Sequence, residues 1–194
     1  LYYNKFNMKA DLHNHSYYSD GLYSPKEVVR LAKKAGCDLF SLTDHDTTDG
    51  IAEAQLEVGK LKLNLINGVE ISALWRNMAI HILGLGIDIN TDILQTGLEH
   101  NQKLRKERAE KIALGLWRSG IKDALEKTQS FSKTDMLTRT HFAQMLISEG
   151  YCKDMKAVFR RYLTGKKPGG VSVEWKGFDE VVHWIHAAGG KALI

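Results

Sequence analysis

Cysteine and proline are both scarce in this chain: its 194 residues include two of each. Cys37 and Cys152 are too few for a cysteine-built metal cluster or a disulfide framework. We therefore expect a reducing, cytoplasmic setting. No stretch of the sequence approaches the roughly 18 unbroken apolar residues that a membrane-spanning helix needs, so we expect no association with a membrane.

Charge of either sign is not in marked excess. Lysine and arginine together number 27 and aspartate and glutamate 23, which gives a formal net charge of +4. Such a balance permits a phosphate-bearing partner without requiring one. With 43% hydrophobic and 26% charged residues, the composition is that of an ordinary globular protein and excludes disordered, collagenous and coiled-coil chains. The length suits one domain or slightly more, at roughly 150 residues per domain.

The two ends of the sequence bear on how complete the fold is. Residues 2–5 do not form an apolar signal region, so no secretory peptide is expected. Near the other end, 178–188 has the spacing of an amphipathic helix, and Gly189-Gly190 would end it. Residues 191–194 then read as the start of a buried strand. Because a buried strand must be paired and covered, we expect the chain to be the N-terminal part of a longer fold.

Short apolar segments alternate with amphipathic ones through the first 90 residues. This alternation predicts βαβ units and hence an α/β protein with a largely parallel sheet or barrel. The first helix has the clearest start, because Ser24 and Glu27 have the spacing of a capping box around Pro25. The predicted strands are 10–15, 38–43, 63–66, 69–74, 79–85 and one that begins at 191, and the predicted helices here are 25–35 and 47–60.

A helical block interrupts this alternation. Thr91 to Ser119 is one long helical stretch rich in lysine and arginine, and shorter helices are predicted over 140–148 and 154–163. The glycine-rich segment 165–170 is a predicted flexible loop that leads back to the α/β pattern. We therefore divide the chain into an N-terminal part of a barrel (1–90), a helical insertion (91–170) and a return to the barrel (171–194).

Histidines and carboxylates gather at the ends of the predicted strands. His13 and His15 are two apart on the first strand, so their rings would face the same side and could bind one metal. Surface or structural histidines are the alternative. Asp44, His45 and Asp46 directly follow the second strand, at the edge where parallel α/β folds build active sites. Helix capping is the simpler alternative for Asp46, but it does not account for all three.

Two further titratable residues stand inside apolar strands. Glu70 is in a run where an ionised side chain must be paired or bound to a metal. His81 is in a similar run, where a lone histidine is more often a core residue. Asp20, in a Ser-Asp-Gly turn, is either a further ligand or only a turn residue. Histidine and carboxylate ligands without thiolates suit Mn, Fe or Zn better than Mg alone, so we expect divalent metals, with Mn as the leading candidate.

These residues form short motifs: Asp11-x-His13-x-His15-Ser16, Ser19-Asp20-Gly21, Thr43-Asp44-His45-Asp46, Gly68-Val69-Glu70-Ile71-Ser72 and His81. The set resembles the PHP (polymerase and histidinol phosphatase) family of metal-dependent phosphoesterases. The segments 138–143, 162–166 and 189–193 are similar, more narrowly, to its TrpH-type (YciV) branch. Members of that branch act as 3',5'-nucleoside bisphosphate phosphatases and 5'-to-3' exoribonucleases.

The resemblance implies a distorted PHP-type β/α barrel that holds up to three metal ions in the complete protein. The implied ligands are His13, His15 and Glu70 for one ion, Glu70 and His81 for a second, and Asp20 and His45 for the third. The family pattern also needs a histidine after the strand at 191 and an Asp-x-His near the C-terminus, and this sequence contains neither. We therefore expect the barrel to be incomplete at its C-terminus.

The implied reaction is hydrolysis of a phosphoester by water that clustered divalent metals activate, which lowers the pKa of the water toward about 7. Asp44, His45 and Asp46 are the expected catalytic residues, with the two aspartates orienting His45 or the water.

Four residues are expected to bind the substrate. Arg139 and His141 are in the first turn of a predicted helix, where backbone N–H groups favour anions. A core or capping histidine is the alternative for His141. Arg108 of the long basic helix and Lys166 of the glycine-rich loop are the other two. We expect most other charges of that helix, including Arg105, to form a solvated face.

The sequence therefore predicts an enzyme that acts on nucleotides or short RNA, with no obligate protein partner. It would remove the 3'-phosphate of a 3',5'-bisphosphate, or 5'-terminal nucleotides from RNA. A histidinol-phosphatase-like small-molecule phosphatase is one alternative, but the helical insertion with Arg139 and His141 argues against it. A non-catalytic metal-binding module is another. The intact ligands disfavour that alternative, and the absent C-terminal ligands favour it.

Overall fold

The structure, a computed structural model, describes residues 8–194. The segment 2–5, which the sequence predicts is not part of a secretory peptide, lies outside the described residues. Its strands are β1 (Ala10–Asp11), β2 (Leu39–Phe40), β3 (Asn64–Leu65), β4 (Gly68–Trp75), β5 (Met78–Leu85) and β6 (Lys191–Leu193). Its α-helices are α1 (Pro25–Lys34), α2 (Ile51–Leu61), α3 (Asp92–Arg118), α4 (Ala124–Gln129), α5 (Arg139–Ser148), α6 (Met155–Val158) and α7 (Phe178–Ala187), with a π-helical turn at Phe159–Leu163. Of the helices described, none combines the length and the apolar character needed to cross a bilayer.

The strands form two three-stranded sheets. Strands β1, β2 and β3 are parallel in that order, whereas β4, β5 and β6 are antiparallel. A parallel bridge between His45 and Glu70 joins the segment after β2 to β4. The predicted α/β class is confirmed, but the expectation of a largely parallel sheet holds only for β1–β3. Arg76 and Asn77, both with positive φ, turn β4 directly into β5, and so short a connection can join only antiparallel strands.

The first strand is shorter than predicted, and beyond it the pairing with the segment after β2 continues through both backbone and side-chain hydrogen bonds. Beyond Asp11, the Asn14 N–H donates to Thr43 Oγ1 at 3.0 Å and the Thr43 N–H donates to the Asn14 carbonyl at 2.9 Å. His13 and His15 therefore lie in an extended segment after β1 rather than on it. Their rings are still neighbours, with centroids 5.2 Å apart.

Helix α1 begins as the sequence predicts. The Glu27 N–H donates to Ser24 Oγ at 3.3 Å, and the Ser24 N–H donates to the Glu27 carboxylate at 2.8 Å. This reciprocal capping satisfies two N–H groups that the first turn of a helix would otherwise leave free. The buried face of α1 then packs with α2 over the first sheet, in a core that includes Val29 and Phe40.

Helix α3 joins two apolar cores. Its first half packs against β4, β5 and α7 through Leu94 and Leu98. Its second half packs through Ile112 and Leu116 into a separate core built with α4, α5 and α6. At 27 residues and about 1.5 Å per residue, this helix is a rigid strut of about 40 Å. The helical block therefore has its own core and is attached to the strands by a continuous helix.

A buried ion pair ties α3 to the strands. The Asp46 carboxylate is fully buried and accepts from Arg105 Nε at 2.6 Å, while Arg105 Nη2 lies 2.6 Å from the same oxygen and donates to Ser72 Oγ at 2.8 Å. The carboxylate also accepts from the Ser72 N–H, the Ser72 hydroxyl and the Asn101 amide, each at 2.8 Å. Because each charge has several hydrogen bonds, the pair can persist away from water.

The expectation that Arg105 belongs to a solvated face is therefore wrong. Only 5% of its surface is exposed, since the helix face that carries Leu94 and Leu98 continues through Asn101 and Arg105 at the same spacing. The apolar stripe of α3 becomes a polar stripe where it passes the end of β2.

Arg105→Met is expected to lower the free energy of unfolding by about 3–5 kcal/mol, because it leaves the buried Asp46 carboxylate without its charge partner. Urea denaturation at constant m-value measures the change. Lys106→Met, an exposed neighbour on the same helix, is the matched control and should change stability by no more than about 0.5 kcal/mol. Equal effects for the two variants would contradict a stabilising role of this pair.

Candidate metal centre and adjacent cleft

A single carboxylate, that of Glu70, lies among four histidine rings. Strand β4 carries Glu70, β5 carries His81, and the segments after β1 and β2 supply the other rings. The nitrogen to carboxylate-oxygen distances are 3.0 Å for His13, 2.9 Å for His15, 3.4 Å for His45 and 2.7 Å for His81. Glu70 is only 5% exposed. The ends of separate strands thus converge on one buried acid.

Asp20 extends this group on the side of the helical block. Its Oδ1 lies 3.8 Å from His15 Nδ1 and 3.8 Å from His45 Nε2. Its Oδ2 accepts a hydrogen bond of 2.9 Å from the Thr140 hydroxyl in the first turn of α5. Helix α5 therefore orients an acid of the strand-end cluster.

The donor atoms form three overlapping groups in which every atom lies within 4.8 Å of the others. The groups are His13, His15 and Glu70; His15, Asp20 and His45; and His45, Glu70 and His81. All six residues predicted to bind metal are thus brought together. Their role as ligands stays a prediction, and the two groups that contain His45 combine the residues differently from the predicted sets.

The electrostatics of the cluster suit a cation. Burial, and next the charge of Arg105, lower the pKa of His45 to about 2, so its ring is neutral. Its Nδ1 is buried without a hydrogen-bond partner among residues 8–194. Burial by itself would raise the pKa of Glu70, but hydrogen bonds from His15 and His81 hold it well below its usual range. A neutral imidazole and an ionised carboxylate are the forms that bind a metal, so these residues fit one.

Asp44 supports the loop that carries Asp20. Its buried carboxylate accepts from the Ser16 N–H at 2.7 Å and from the hydroxyls of Ser16 and Ser19, both at 2.6 Å. Burial raises its pKa, against the effect of these serine hydrogen bonds. The oxygens of Asp44 and Asp46 are occupied by protein donors, so their contacts are those of positioning residues. The predicted catalytic roles of Asp44, His45 and Asp46 stay predictions.

A cleft of about 830 Å³ opens beside His81 and contains three cationic side chains. Arg108, Arg139 and Lys166, three of the four residues predicted to bind substrate, line it together with His81. No aspartate or glutamate is among the described residues of its lining. Burial, and then the nearby Arg105 and Arg139, lower the pKa of Arg108 to about 9. Such crowding of like charges, with no acid among the described lining residues, suits an anion.

Aromatic rings support both arginines of the cleft. The guanidinium of Arg108 lies 5.8 Å from the ring centroid of Trp175, and that of Arg139 lies 5.6 Å from that of Phe159. A ring face holds a planar cation without neutralising its charge. Both guanidiniums therefore keep their donors for another partner.

His141, the fourth predicted substrate contact, is placed differently. It is buried, and its Nδ1 accepts from the Thr138 N–H at 3.2 Å. Burial lowers its pKa, with Asp20 acting in the opposite direction. This hydrogen bond caps the start of α5, which is the alternative role given above for His141. Direct binding of substrate by His141 stays a prediction.

Sequence reasoning missed the polar residues of α3 that reach the centre. Besides Arg105, the Asn101 amide donates to the Ser72 carbonyl at 2.9 Å, and the Gln102 amide donates to the Asp46 carbonyl at 2.8 Å. The only sequence signal was the position of Asn101 and Arg105 on the stripe that begins with Leu94 and Leu98.

The chain is similar to known proteins of one family. The model of the PHP domain matches residues 11–188. The chain is 42% identical over 185 residues to a 3',5'-nucleoside bisphosphate phosphatase of Chromobacterium violaceum, covering 95% of this chain and 65% of the relative. It is 40% identical over 186 residues to the 5'-3' exoribonuclease Rnm of Escherichia coli, covering 95% of this chain and 64% of the relative.

A solved structure has the same fold as this chain. An amidohydrolase from Chromobacterium violaceum, determined with bound sulfate and no metal, superposes with a TM-score of 0.93 at 41% identity, covering 96% of this chain and 66% of that one. The chain thus spans less than two thirds of the length of these relatives. Its match to the family nevertheless extends over nearly all of its own residues, and the chain belongs to the PHP domain family.

Proposed function

We propose that this chain contributes the metal-binding and substrate-binding parts of a phosphoesterase that acts on nucleotides. It removes the 3'-phosphate of a 3',5'-nucleoside bisphosphate, 5'-terminal nucleotides from short RNA, or both. The observation that carries the proposal is the position of the Glu70 cluster beside a cleft whose lining, among residues 8–194, contains three cations and no aspartate or glutamate. The names of the two relatives, a bisphosphate phosphatase and an exoribonuclease, support it.

The metal-binding part is the cluster around Glu70. His13, His15, His45, His81, Asp20 and Glu70 would hold up to three divalent ions, with Mn as the leading candidate and Fe, Zn or Mg as alternatives. Bound ions supply charge neutralisation at the phosphoryl group and a water nucleophile at neutral pH. The protein's own contribution is to keep Glu70 ionised and His45 neutral, and to fix both through Asp46 and Asp44.

The substrate-binding part is the cationic wall of the cleft. A 3',5'-bisphosphate and a 5'-phosphorylated RNA share one feature: a second phosphoryl group one nucleoside away from the reacting one. Arg108, Arg139 and Lys166 are available for that second group, because no salt bridge joins them to an acid among the described residues. Charge-assisted hydrogen bonds of this kind are the strong ones. The cytoplasmic setting and the lack of an obligate protein partner remain predictions.

His45→Ala in the full-length protein is expected to lower kcat by more than about 100-fold while leaving the fold intact, because His45 belongs to two of the three ligand groups. Phosphate release from a 3',5'-bisphosphate, and nucleotide release from a short 5'-phosphorylated RNA, are measured with added Mn. His183→Ala, an exposed histidine of α7, is the matched control and should retain full activity. A metal-loaded full-length protein that hydrolyses neither substrate would refute the proposed function.

Arg108→Met and Arg139→Met are each expected to lower kcat/KM for a 3',5'-bisphosphate by about 10- to 100-fold, since a hydrogen bond to a charged group contributes about 1.5–3 kcal/mol. The same variants should change the hydrolysis of a nucleoside 3'-monophosphate much less, because that substrate lacks the second phosphate. Arg118→Met, at the exposed end of α3, serves as the control. Equal losses on both substrates would show that these arginines do not bind the second phosphate.

A further inference from the structure

The segment 164–170, here called the Lys166 loop, lies directly on helix α3 at Gly115. A Cβ atom at Gly115 would lie 1.7 Å from the Pro168 carbonyl oxygen. Because the opposing atom is backbone rather than the end of a flexible side chain, no change of rotamer could relieve the clash. Only glycine allows the helix and the loop to approach this closely.

The Lys166 loop is compact, although its glycines predict flexibility. The Gly169 N–H donates to the Tyr162 carbonyl at 2.7 Å, at the π-helical turn that precedes the loop. The Gly170 N–H donates to the Lys167 carbonyl at 2.9 Å, and a Cβ at Gly170 would lie 2.0 Å from the Gly165 carbonyl oxygen. These contacts hold the loop backbone in one conformation, so a displacement at one end should move the whole loop.

The loop presents a cation to the cleft. Thr164, Gly165, Lys166 and Gly170 all line the cleft that also contains Arg108 and Arg139. On the opposite side the loop rests on α3, the helix that carries Arg108. The close contact at Gly115 therefore determines how far Lys166 lies from α3, the helix that also positions the Arg108 guanidinium.

We propose that Gly115 is a positioning residue for Lys166: its missing side chain lets the loop lie against α3, so that the backbone of Lys166 is held at the cleft, within reach of a substrate phosphate, before the substrate binds. This inference rests on the proposed function. A loop whose backbone is fixed before binding loses less conformational entropy on binding than a mobile loop does. A shift of about 1 Å in such a group can cost about 100-fold in rate.

A double-mutant cycle on the full-length protein with Mn tests this role. Gly115→Ala and Lys166→Ala are each expected to lower kcat/KM for a 3',5'-bisphosphate by about tenfold or more, chiefly by raising KM. If Gly115 acts through Lys166, the double variant should lose no more than about twofold beyond Lys166→Ala alone. A purely structural role would instead make the two losses multiply, and that result would overturn the proposal.

Gly59→Ala is the matched control. Gly59 is also a helical glycine, in α2, but a Cβ there would meet no atom within 4 Å. Its activity should equal that of the wild type, because the substitution only favours the helix. Unchanged kcat/KM in Gly115→Ala, like that of the control, would also overturn the proposal.

Two further measurements keep the outcome clear. If Gly115→Ala fails to fold, Gly169→Ala replaces it as a milder displacement of the same loop, since its Cβ would lie 2.9 Å from the Leu163 side chain and 3.1 Å from the Tyr162 carbonyl oxygen. Binding of inorganic phosphate, measured by calorimetry on the same variants, needs no turnover. An inactive wild type would refute the proposed function. If Lys166→Ala weakens phosphate binding and Gly115→Ala leaves it unchanged, only the role of Gly115 is refuted.

Discussion

The buried ion pair between Asp46 and Arg105 is the constraint on which the geometry of the site depends. Through Asp46 it fixes the backbone next to His45, and through Ser72 it fixes β4 two residues from Glu70. Its third anchor is α3 itself. In a medium of low dielectric constant such a pair is tolerable only with its hydrogen bonds complete, so these three elements are held in one relative position or the network fails.

The cleft is built at the junction of two cores. The acids and histidines belong to strands and strand ends, whereas all three cations of the cleft are supplied by the helical block and its closing loop. Helix α3 passes through both cores without a break, and Arg108 lies one turn beyond Arg105. The helical block is thus more than a cover, because it carries the groups that would recognise an anion and holds them against the centre that would transform it.

Much of the site could be predicted because its chemistry is local in sequence. The His13/His15 pair, the acid–histidine run at 44–46 and Glu70 inside an apolar strand are each anomalous on their own. Arg105 could not be predicted, because within a basic helix its partner, 59 residues away, is invisible to periodicity alone. The antiparallel β4–β5 pairing was missed because the direction was inferred from the alternation of strands and helices, although the short gap between these two strands indicates a hairpin. Helix α4 was missed because six residues carry too little periodic signal.

Asp46 also has a left-handed backbone, with φ of 51°. Side chains other than glycine, asparagine and aspartate rarely accept that conformation. Asparagine would fit the backbone but not the charge of Arg105, and glutamate would supply the charge but not the backbone. Two independent demands, one on the backbone and one on the charge, therefore meet at this position. Aspartate satisfies both at the lowest cost, so substitutions at residue 46 should be tolerated less well than its burial alone would suggest.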